Sequence, residues 1–121
     1  MKVMVTIHSV SGLKDMDGLW GKTDPYVALS YGSSSWHTAT QKDAGSEAAF
    51  EESWTFETEE DLLSEVKIKV RDNRTMMLDG VLAEGAIGFE QTAGYHFSGE
   101  IGLINKDHGH EPVLKFTLKC Q

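Results

Sequence analysis

The sequence contains a single cysteine, only two prolines and no apolar run of membrane-spanning length. The lone Cys120 excludes an internal disulfide, and a reducing, cytoplasmic setting is the simplest interpretation. The stretch from Met1 to Val5 lacks the pattern of a secretory signal. At 121 residues the chain suits one domain with one apolar core, and we expect that domain to fill residues 1–121.

Positive charge is also scarce, since 11 Lys and Arg stand against 19 Asp and Glu, for a net charge of −8. This balance argues against nucleic acid as a partner. The segment from Glu47 to Glu65 holds eight carboxylates and no Lys or Arg, so it alone accounts for the net charge. We interpret this acidic segment as a solvated face, with a surface for a basic partner as the less favoured alternative.

Helical periodicity is absent as well, because no stretch repeats its apolar residues at a helical spacing for long enough to form a core helix. Short alternating segments occur instead, and residues 65–71 place Val66, Ile68 and Val70 on one face. One helical turn is expected near residues 58–63. About eight strands are expected, at residues 2–9, 25–31, 36–41, 53–58, 65–71, 86–90, 100–104 and 112–119. This pattern predicts an all-β fold, an eight-stranded antiparallel Greek-key β-sandwich.

Several short motifs follow one another in a definite order. An acidic loop with two glycines leads into Asp24-Pro25-Tyr26-Val27, and a later strand ends on Arg71-Asp72. The other motifs are Ser11-Gly12-Leu13, the segment from Ala48 to Phe56, Ile87-Gly88 and the last strand from Val113 to Leu118. In order and spacing these motifs resemble the C2 domain family across essentially the whole chain. The chain opens on the strand before the acidic loop and closes on an extra strand, which is similar to the family's type II arrangement.

The resemblance implies an eight-stranded sandwich with three loops at one end. In many members of the family these loops bind calcium together with phospholipid head groups. Other members bind no calcium and act as protein-interaction modules. Calcium commonly takes about six to eight oxygen ligands, so a site of this kind needs carboxylates from separate loops.

Two carboxylates match the family's ligand positions directly. Asp24 matches the second ligand of the first loop, and Asp72 matches the opening ligand of the third loop. The remaining first-loop position falls on Gly18, and a one-residue insertion would bring Asp17 into that place. The resemblance therefore implies that Asp17, Asp24 and Asp72 contribute to a calcium site.

The third loop departs from the family's pattern at two positions. Arg74 stands where a second carboxylate is expected, and its guanidinium opposes a bound cation or pairs with Asp72. The last ligand position falls on Gly85, so we expect the adjacent Glu84 to swing in and hold the cation with Asp17, Asp24 and Asp72, with Asp79 in reserve. A solvated loop charge is the equally weighted alternative for Glu84 and Asp79. The first and third loops each carry a net charge of only −1, so one weak calcium site is the most we expect.

The tips of the first and third loops hold large apolar side chains, namely Leu19, Trp20, Met76 and Met77. Such side chains suit insertion into a bilayer interface. The alternatives are that they fold back over the end of the sandwich, or that the methionines form a protein-contact surface. Lys22 and Arg74 flank the tips, where they would meet anionic head groups.

No motif indicates catalysis, because the chain has no nucleophile elbow, phosphate-binding loop or dinucleotide fingerprint. The spacing of His108-Gly109-His110 occurs in zinc and copper sites, but an exposed turn is the favoured interpretation. We therefore expect a non-enzymatic module that binds anionic phospholipid membranes reversibly through one weak calcium site. The alternative is a calcium-independent protein-interaction module, and the oligomeric state is left open.

Overall fold

The computed structural model describes residues 1–13, 23–42, 44–58, 64–73, 80–105 and 112–121. Within these residues the chain forms eight strands and no helix, which confirms the predicted all-β fold. The strands are β1 (Lys2–Ser11), β2 (Pro25–Tyr31), β3 (Ser34–His37), β4 (Ala48–Glu57), β5 (Glu65–Asp72), β6 (Gly80–Gly88), β7 (His96–Gly102) and β8 (Val113–Cys120). Most of the predicted helical turn at residues 58–63 lies outside the described residues.

The strands form two antiparallel sheets of four strands each. The first sheet has the order β4-β1-β8-β7 and the second has the order β3-β2-β5-β6. The chain therefore crosses between the sheets after β1, β3, β4 and β6, and these crossings make a sandwich rather than two separate meanders. The connections after β1, β3 and β5 all leave from one end of the sandwich, which we call the loop end.

The core lies between the sheets and is built from alternating strand positions. In β5 the exposed fraction is 0% at Val66, 1% at Ile68 and 0% at Val70, whereas the two residues between them are exposed. β8 contributes Phe116 and Leu118 in the same way from the first sheet. Each such side chain contributes about 1.5–3 kcal/mol through burial, so the alternation holds the two sheets together.

A bulge interrupts the alternation of β1 at His8. The register with both β4 and β8 shifts between Ile7 and Ser9. Across the ladder, Glu51 has a positive φ of 50°, which is uncommon for a residue other than glycine. The shift brings Val10 back to a fully buried position. β1 therefore continues to Ser11, beyond the predicted end at residue 9, because the bulge resets the phase of the pattern.

Hydrogen bonds of the His8 ring hold this bulge in place. Its Nδ1–H donates to the Glu51 carboxylate over 2.7 Å, and its Nε2 lies 2.8 Å from the Thr117 hydroxyl oxygen. Thr117 in turn contacts the Ser98 hydroxyl at 2.7 Å. The outer face of the first sheet is thus linked by polar side chains from β4 to β7.

The boundaries of the edge strands differ most from the prediction, and β4 begins at Ala48 rather than at residue 53. β6 begins at Gly80 rather than at residue 86, and β7 covers His96–Gly102 rather than residues 100–104. Both are edge strands with small residues such as Ala83 and Gly99 on their core faces. Edge strands bury little apolar surface, so they carry a weak alternating pattern, and the sequence indicated them only in part.

Gly85 in β6 is expected to tolerate alanine poorly. A Cβ at this position would lie 2.8 Å from Leu103 Cδ2, and Leu103 is only 7% exposed. We expect Gly85→Ala to lower the free energy of unfolding by about 1 kcal/mol through overpacking. The matched control is Gly88→Ala in the same strand, where no atom lies within 4 Å. That change is expected to be neutral or to stabilise by about 0.5 kcal/mol. Urea denaturation measures both, and equal effects would contradict the packing argument.

Candidate functional site

Asp24 and Asp72 meet at the loop end, where β2 begins and β5 ends. Pro25 pairs with Asp72 in the register of these strands. The backbone N–H of Asp24 donates to Oδ1 of Asp72 over 3.0 Å, and the N–H of Asn73 donates to the carbonyl oxygen of Asp24 over 2.9 Å. The structure therefore places next to each other the two aspartates that matched the family's ligand positions directly.

The connection between β3 and β4 supports the start of β2. Thr38, which is 1% exposed, accepts the N–H of Val27 and donates to the carbonyl oxygen of Ala39, both over 3.0 Å. The N–H of Gln41 donates to the carbonyl oxygen of Pro25 over 2.9 Å. This connection thereby runs beside the first residues of β2 and fixes the backbone next to Asp24.

The third loop is attached to the same connection. The amide of Asn73 donates to the Thr40 hydroxyl over 3.0 Å. Asn73 directly follows Asp72, so the end of β5 is held against both Asp24 and Thr40. Three connections of the chain therefore meet at one end, as the resemblance implied.

Asp72 is 6% exposed. Burying a carboxylate is costly unless donors compensate for its lost hydration, and the N–H of Asp24 is one such donor. Calcium prefers hard oxygen ligands, so the carboxylates of these two neighbouring residues suit part of its coordination shell. The described residues contain no group of three or more His, Cys, Asp or Glu that could complete a metal site. The further ligands would have to come from the parts of the loops outside those residues.

Most of the other predicted site residues fall outside the described residues. This holds for the ligands Asp17 and Asp79, the apolar tips Leu19, Trp20, Met76 and Met77, and the basic flanks Lys22 and Arg74. The His108-Gly109-His110 turn lies outside them as well. The roles assigned to these residues remain predictions.

Glu84 does not lie beside Asp72. It pairs with Lys69, three positions along β5 from Asp72, a separation of about 10 Å. Two backbone hydrogen bonds to Ile104, of 2.9 and 2.8 Å, hold it within the sheet. The expectation that Glu84 swings into the third loop is therefore corrected, because β6 begins before this residue.

A second surface was not recognised from the sequence as a site. The outer face of the second sheet holds a groove of about 630 Å³ whose lining includes Lys67, Lys69 and Arg71. Alternation in residues 65–71 predicted the outward lysines. Arg71, the last residue of the predicted strand, lies on the same face of β5 as these lysines.

Burial raises the pKa of the Cys120 thiol above its usual value, and a hydrogen bond with the backbone of Thr92 only partly opposes this effect. The thiol lies 3.4 Å from the carbonyl oxygen of Glu90, to which it donates. A raised pKa keeps the sulfur protonated at neutral pH, and the thiol is a poor nucleophile. Cys120 therefore acts as a core residue at the end of β8.

Comparisons with known proteins agree with this architecture. Residues 1–103 match the family model of the C2 domain. The comparison with curated proteins finds no match. None of the described residues belongs to a helix with the length and hydropathy needed to cross a membrane.

Solved structures share the fold at low sequence identity. A C2 domain of plant extended synaptotagmin 1 has a TM-score of 0.82 and 17% identity, over 98% of this chain and 92% of that chain. A C2 domain-containing protein from a putative elicitor-responsive gene has a TM-score of 0.73 and 20% identity, over 100% of this chain and 88% of that chain. Human GIVD cytosolic phospholipase A2 has a TM-score of 0.79 and 17% identity, over 98% of this chain but only 16% of that chain. With the family model matching residues 1–103, the chain belongs to the C2 domain family.

Proposed function

We propose that this domain binds anionic phospholipid membranes peripherally and reversibly, assisted by one weakly bound calcium ion. C2 domains are modules of membrane binding and protein interaction. The observation that carries the proposal is the meeting of Asp24 and Asp72 at the loop end. On this proposal the domain works at a cytoplasmic membrane surface, where acidic lipids are concentrated.

Asp24 and Asp72 would supply carboxylate oxygens from two different loops. Asp17 and Asp79 are the candidates for the remaining protein ligands, and Glu84 is left out because of its position in β6. Arg74 follows Asp72 by two residues, and a guanidinium close to the site weakens cation binding. We therefore expect a dissociation constant near the weak end of protein calcium sites, roughly 10⁻⁴–10⁻³ M.

The loop tips would provide the membrane contact. Bound calcium would neutralise the loop carboxylates and bridge them to the lipid phosphates. Lys22 and Arg74 would each add about 1 kcal/mol at an anionic surface, which helps binding but does not anchor the domain alone. The apolar residues that would enter the interface are Leu19, Trp20, Met76 and Met77.

Calcium is expected to raise the thermal midpoint of the domain. A ligand that binds the native state at roughly ten times its dissociation constant stabilises it by about 1.4 kcal/mol. For a domain of this size the shift is roughly 4–6 °C. Differential scanning calorimetry in millimolar calcium and in chelator measures it, and magnesium at equal ionic strength controls for screening. An unchanged midpoint would contradict the calcium site.

Membrane binding is tested separately with vesicles. We expect co-sedimentation with phosphatidylserine-containing vesicles in calcium, and little with phosphatidylcholine alone or in chelator. The fluorescence of Trp20 reports membrane binding. Trp36 and Trp54 stack on each other at a centroid distance of 6.3 Å and pack against the core, so their fluorescence is not expected to change. Trp20→Phe, which should remove the fluorescence change, is therefore the control. Calcium binding without any vesicle binding would refute the membrane part of the proposal and leave the metal site standing.

A calcium-independent protein-interaction module is the second candidate. The observation that favours it is the charge of β4, an edge strand whose Glu51 and Glu57 side chains are 67% and 70% exposed. A basic partner could approach these groups without calcium. An unchanged melting midpoint in millimolar calcium would favour this candidate over the first.

A further inference from the structure

β7 is the edge strand with the least protection against pairing with another chain. The other three edge strands of the described part of the chain are each blunted. β3 has only four residues, β6 is bridged by Ile104 at Glu84, and β4 carries three glutamates. Residues 96–102 of β7 include no Lys, Arg or Pro, the residues that commonly keep an edge strand from pairing. β7 therefore presents an open row of backbone groups.

The register of β7 with β8 determines which backbone groups face this open edge. The N–H of Cys120 donates to the carbonyl oxygen of Tyr95 over 2.8 Å, and the register continues along β7 without a shift. Hydrogen-bonded pairs alternate along an antiparallel ladder, so the odd-numbered residues of β7 turn their N–H and C=O groups towards β8. The backbone groups of the even-numbered residues point away from β8, namely those of His96, Ser98 and Glu100.

The side chains of β7 are self-complementary about Ser98. His96 and Glu100 lie two residues to either side of it on the outer face, and Phe97 and Gly99 lie one residue to either side on the core face. A second copy aligned antiparallel, with Ser98 opposite Ser98, sets His96 against Glu100 and Phe97 against Gly99. Two-fold symmetry repeats each of these contacts. A histidine opposite a carboxylate and an aromatic ring opposite a glycine are both favourable cross-strand pairs.

Gly99 provides the space that this alignment needs. A Cβ at Gly99 would lie 3.0 Å from Cζ of Phe97, so the Phe97 ring leans along its own strand over the glycine. Phe97 contacts Phe116 yet remains 44% exposed. In the antiparallel pair the two Phe97 rings lean in opposite directions and lie side by side, about 5 Å apart, which is a spacing that packed aromatic rings favour. The pairing would therefore cover the exposed part of each ring.

We propose that two copies of this chain associate through β7, as an antiparallel pair with Ser98 of each copy at the two-fold axis. His96, Ser98 and Glu100 then form hydrogen-bonded pairs with Glu100, Ser98 and His96 of the second copy, and each pair exchanges two backbone bonds. An unrelated strand would need both a partner for Glu100 and a ring opposite Gly99, whereas a second copy supplies both at the required positions.

This association is independent of the proposed membrane function. Antiparallel pairing of β7 directs the loop ends of the two copies in opposite directions. It uses neither Asp24 nor Asp72, which lie at the loop end of the second sheet. The proposal therefore stands or falls apart from the calcium site.

Sedimentation velocity in chelator tests the association. An interface of one strand per copy is small, so chain concentrations from about 10 µM to about 1 mM are needed. We expect the sedimentation coefficient to rise with concentration towards that of a dimer. Ser98→Pro removes the N–H at the two-fold axis but no bond to β8, and it is expected to weaken the association by about tenfold or more. The matched control Ser98→Ala loses the same hydroxyl contact with Thr117 and keeps the N–H, so a change of about twofold or less is expected.

Exchange of charges provides the second test. Glu100→Lys places a lysine opposite His96 of the second copy and is expected to weaken the association by about fivefold or more. The same change takes the net charge from −8 to −6, which reduces the general repulsion between copies, so an effect of net charge alone would have the opposite sign. His96→Glu/Glu100→Lys restores a pair of opposite charges, and its affinity is expected to return to within about twofold of the unsubstituted chain.

A chain that stays monomeric over the whole concentration range would overturn the proposal. Equal losses in Ser98→Pro and Ser98→Ala would do the same, as would a double variant that associates no better than Glu100→Lys. Association seen only with added calcium would place the contact elsewhere than β7. Circular dichroism of each variant verifies that the fold is kept. Glu100 is exposed, so the charge exchange still decides the question if Ser98→Pro does not fold.

Discussion

Replacing Phe116 with alanine is expected to lower the free energy of unfolding by about 3–5 kcal/mol, the range for a large aromatic side chain removed from a core. Phe116 is 1% exposed and lies in β8, an inner strand of the first sheet. Its ring packs against Phe97 at a centroid distance of 5.5 Å. Alanine would lose this contact and leave a cavity that the rigid sheet closes only partly. The expected loss is a large part of the roughly 5–15 kcal/mol that stabilises a domain.

Phe97→Ala is the matched control, because Phe97 belongs to the same ring pair but is 44% exposed at the edge of the sheet. Its removal is expected to cost about 1 kcal/mol. Phe116→Leu, with a smaller volume change, keeps the comparison measurable if the alanine variant does not fold. Urea denaturation gives the values, and a larger loss for Phe97→Ala would show that the core is not centred on β8.

Two substitutions of Asp72 are expected to separate its contribution to stability from its contribution to calcium binding. Asp72→Ala leaves the N–H of Asp24 without this acceptor in a buried site, so we expect a loss of about 1–3 kcal/mol even in chelator. Asp72→Asn keeps an acceptor oxygen and removes the negative charge. We expect a smaller change in stability in chelator, and a loss of calcium affinity of about tenfold or more, because ligand charge sets affinity.

Glu84→Gln is the control for Asp72→Asn, since it removes the same charge from an exposed position of β6. Calcium is expected to raise the melting midpoint of this variant as it does that of the unsubstituted chain. Loss of the calcium response in Glu84→Gln, or a full response in Asp72→Asn, would contradict the assignment of the site to the Asp24–Asp72 end. Isothermal titration provides the affinities independently of melting.

The central strands were predictable because both the packing and the pattern favour them. β5 lies inside its sheet, and every second residue enters the core. Edge strands lack that regularity, so the sequence placed the start of β6 at residue 86 rather than at Gly80. The bulge at His8 was not predictable from β1 alone, since it depends on Glu51 in a different strand, β4.

The residues of the candidate site were likewise predictable next to central strands and not next to edge strands. The neighbouring positions of Asp24 and Asp72 could be predicted because each adjoins a strand whose position is well determined, and the pairing of β2 with β5 then brings the two residues together. The position of Glu84 could not, because it depended on the start of an edge strand. The groove required knowledge of which strands are neighbours, since residues of both β2 and β5 line it.

The pairing of β1 with β8 has a mechanical consequence. Val3 pairs with Cys120, and the N–H of Gln121 donates to the carbonyl oxygen of Lys2 over 2.9 Å. A force applied between residues 2 and 121 would therefore peel these strands apart one hydrogen bond at a time, which requires less force than shearing them together. The ten residues of β1 separate this point from the loop end by about 30 Å. Tension on the flanks would thus open the sandwich from the side remote from Asp24 and Asp72.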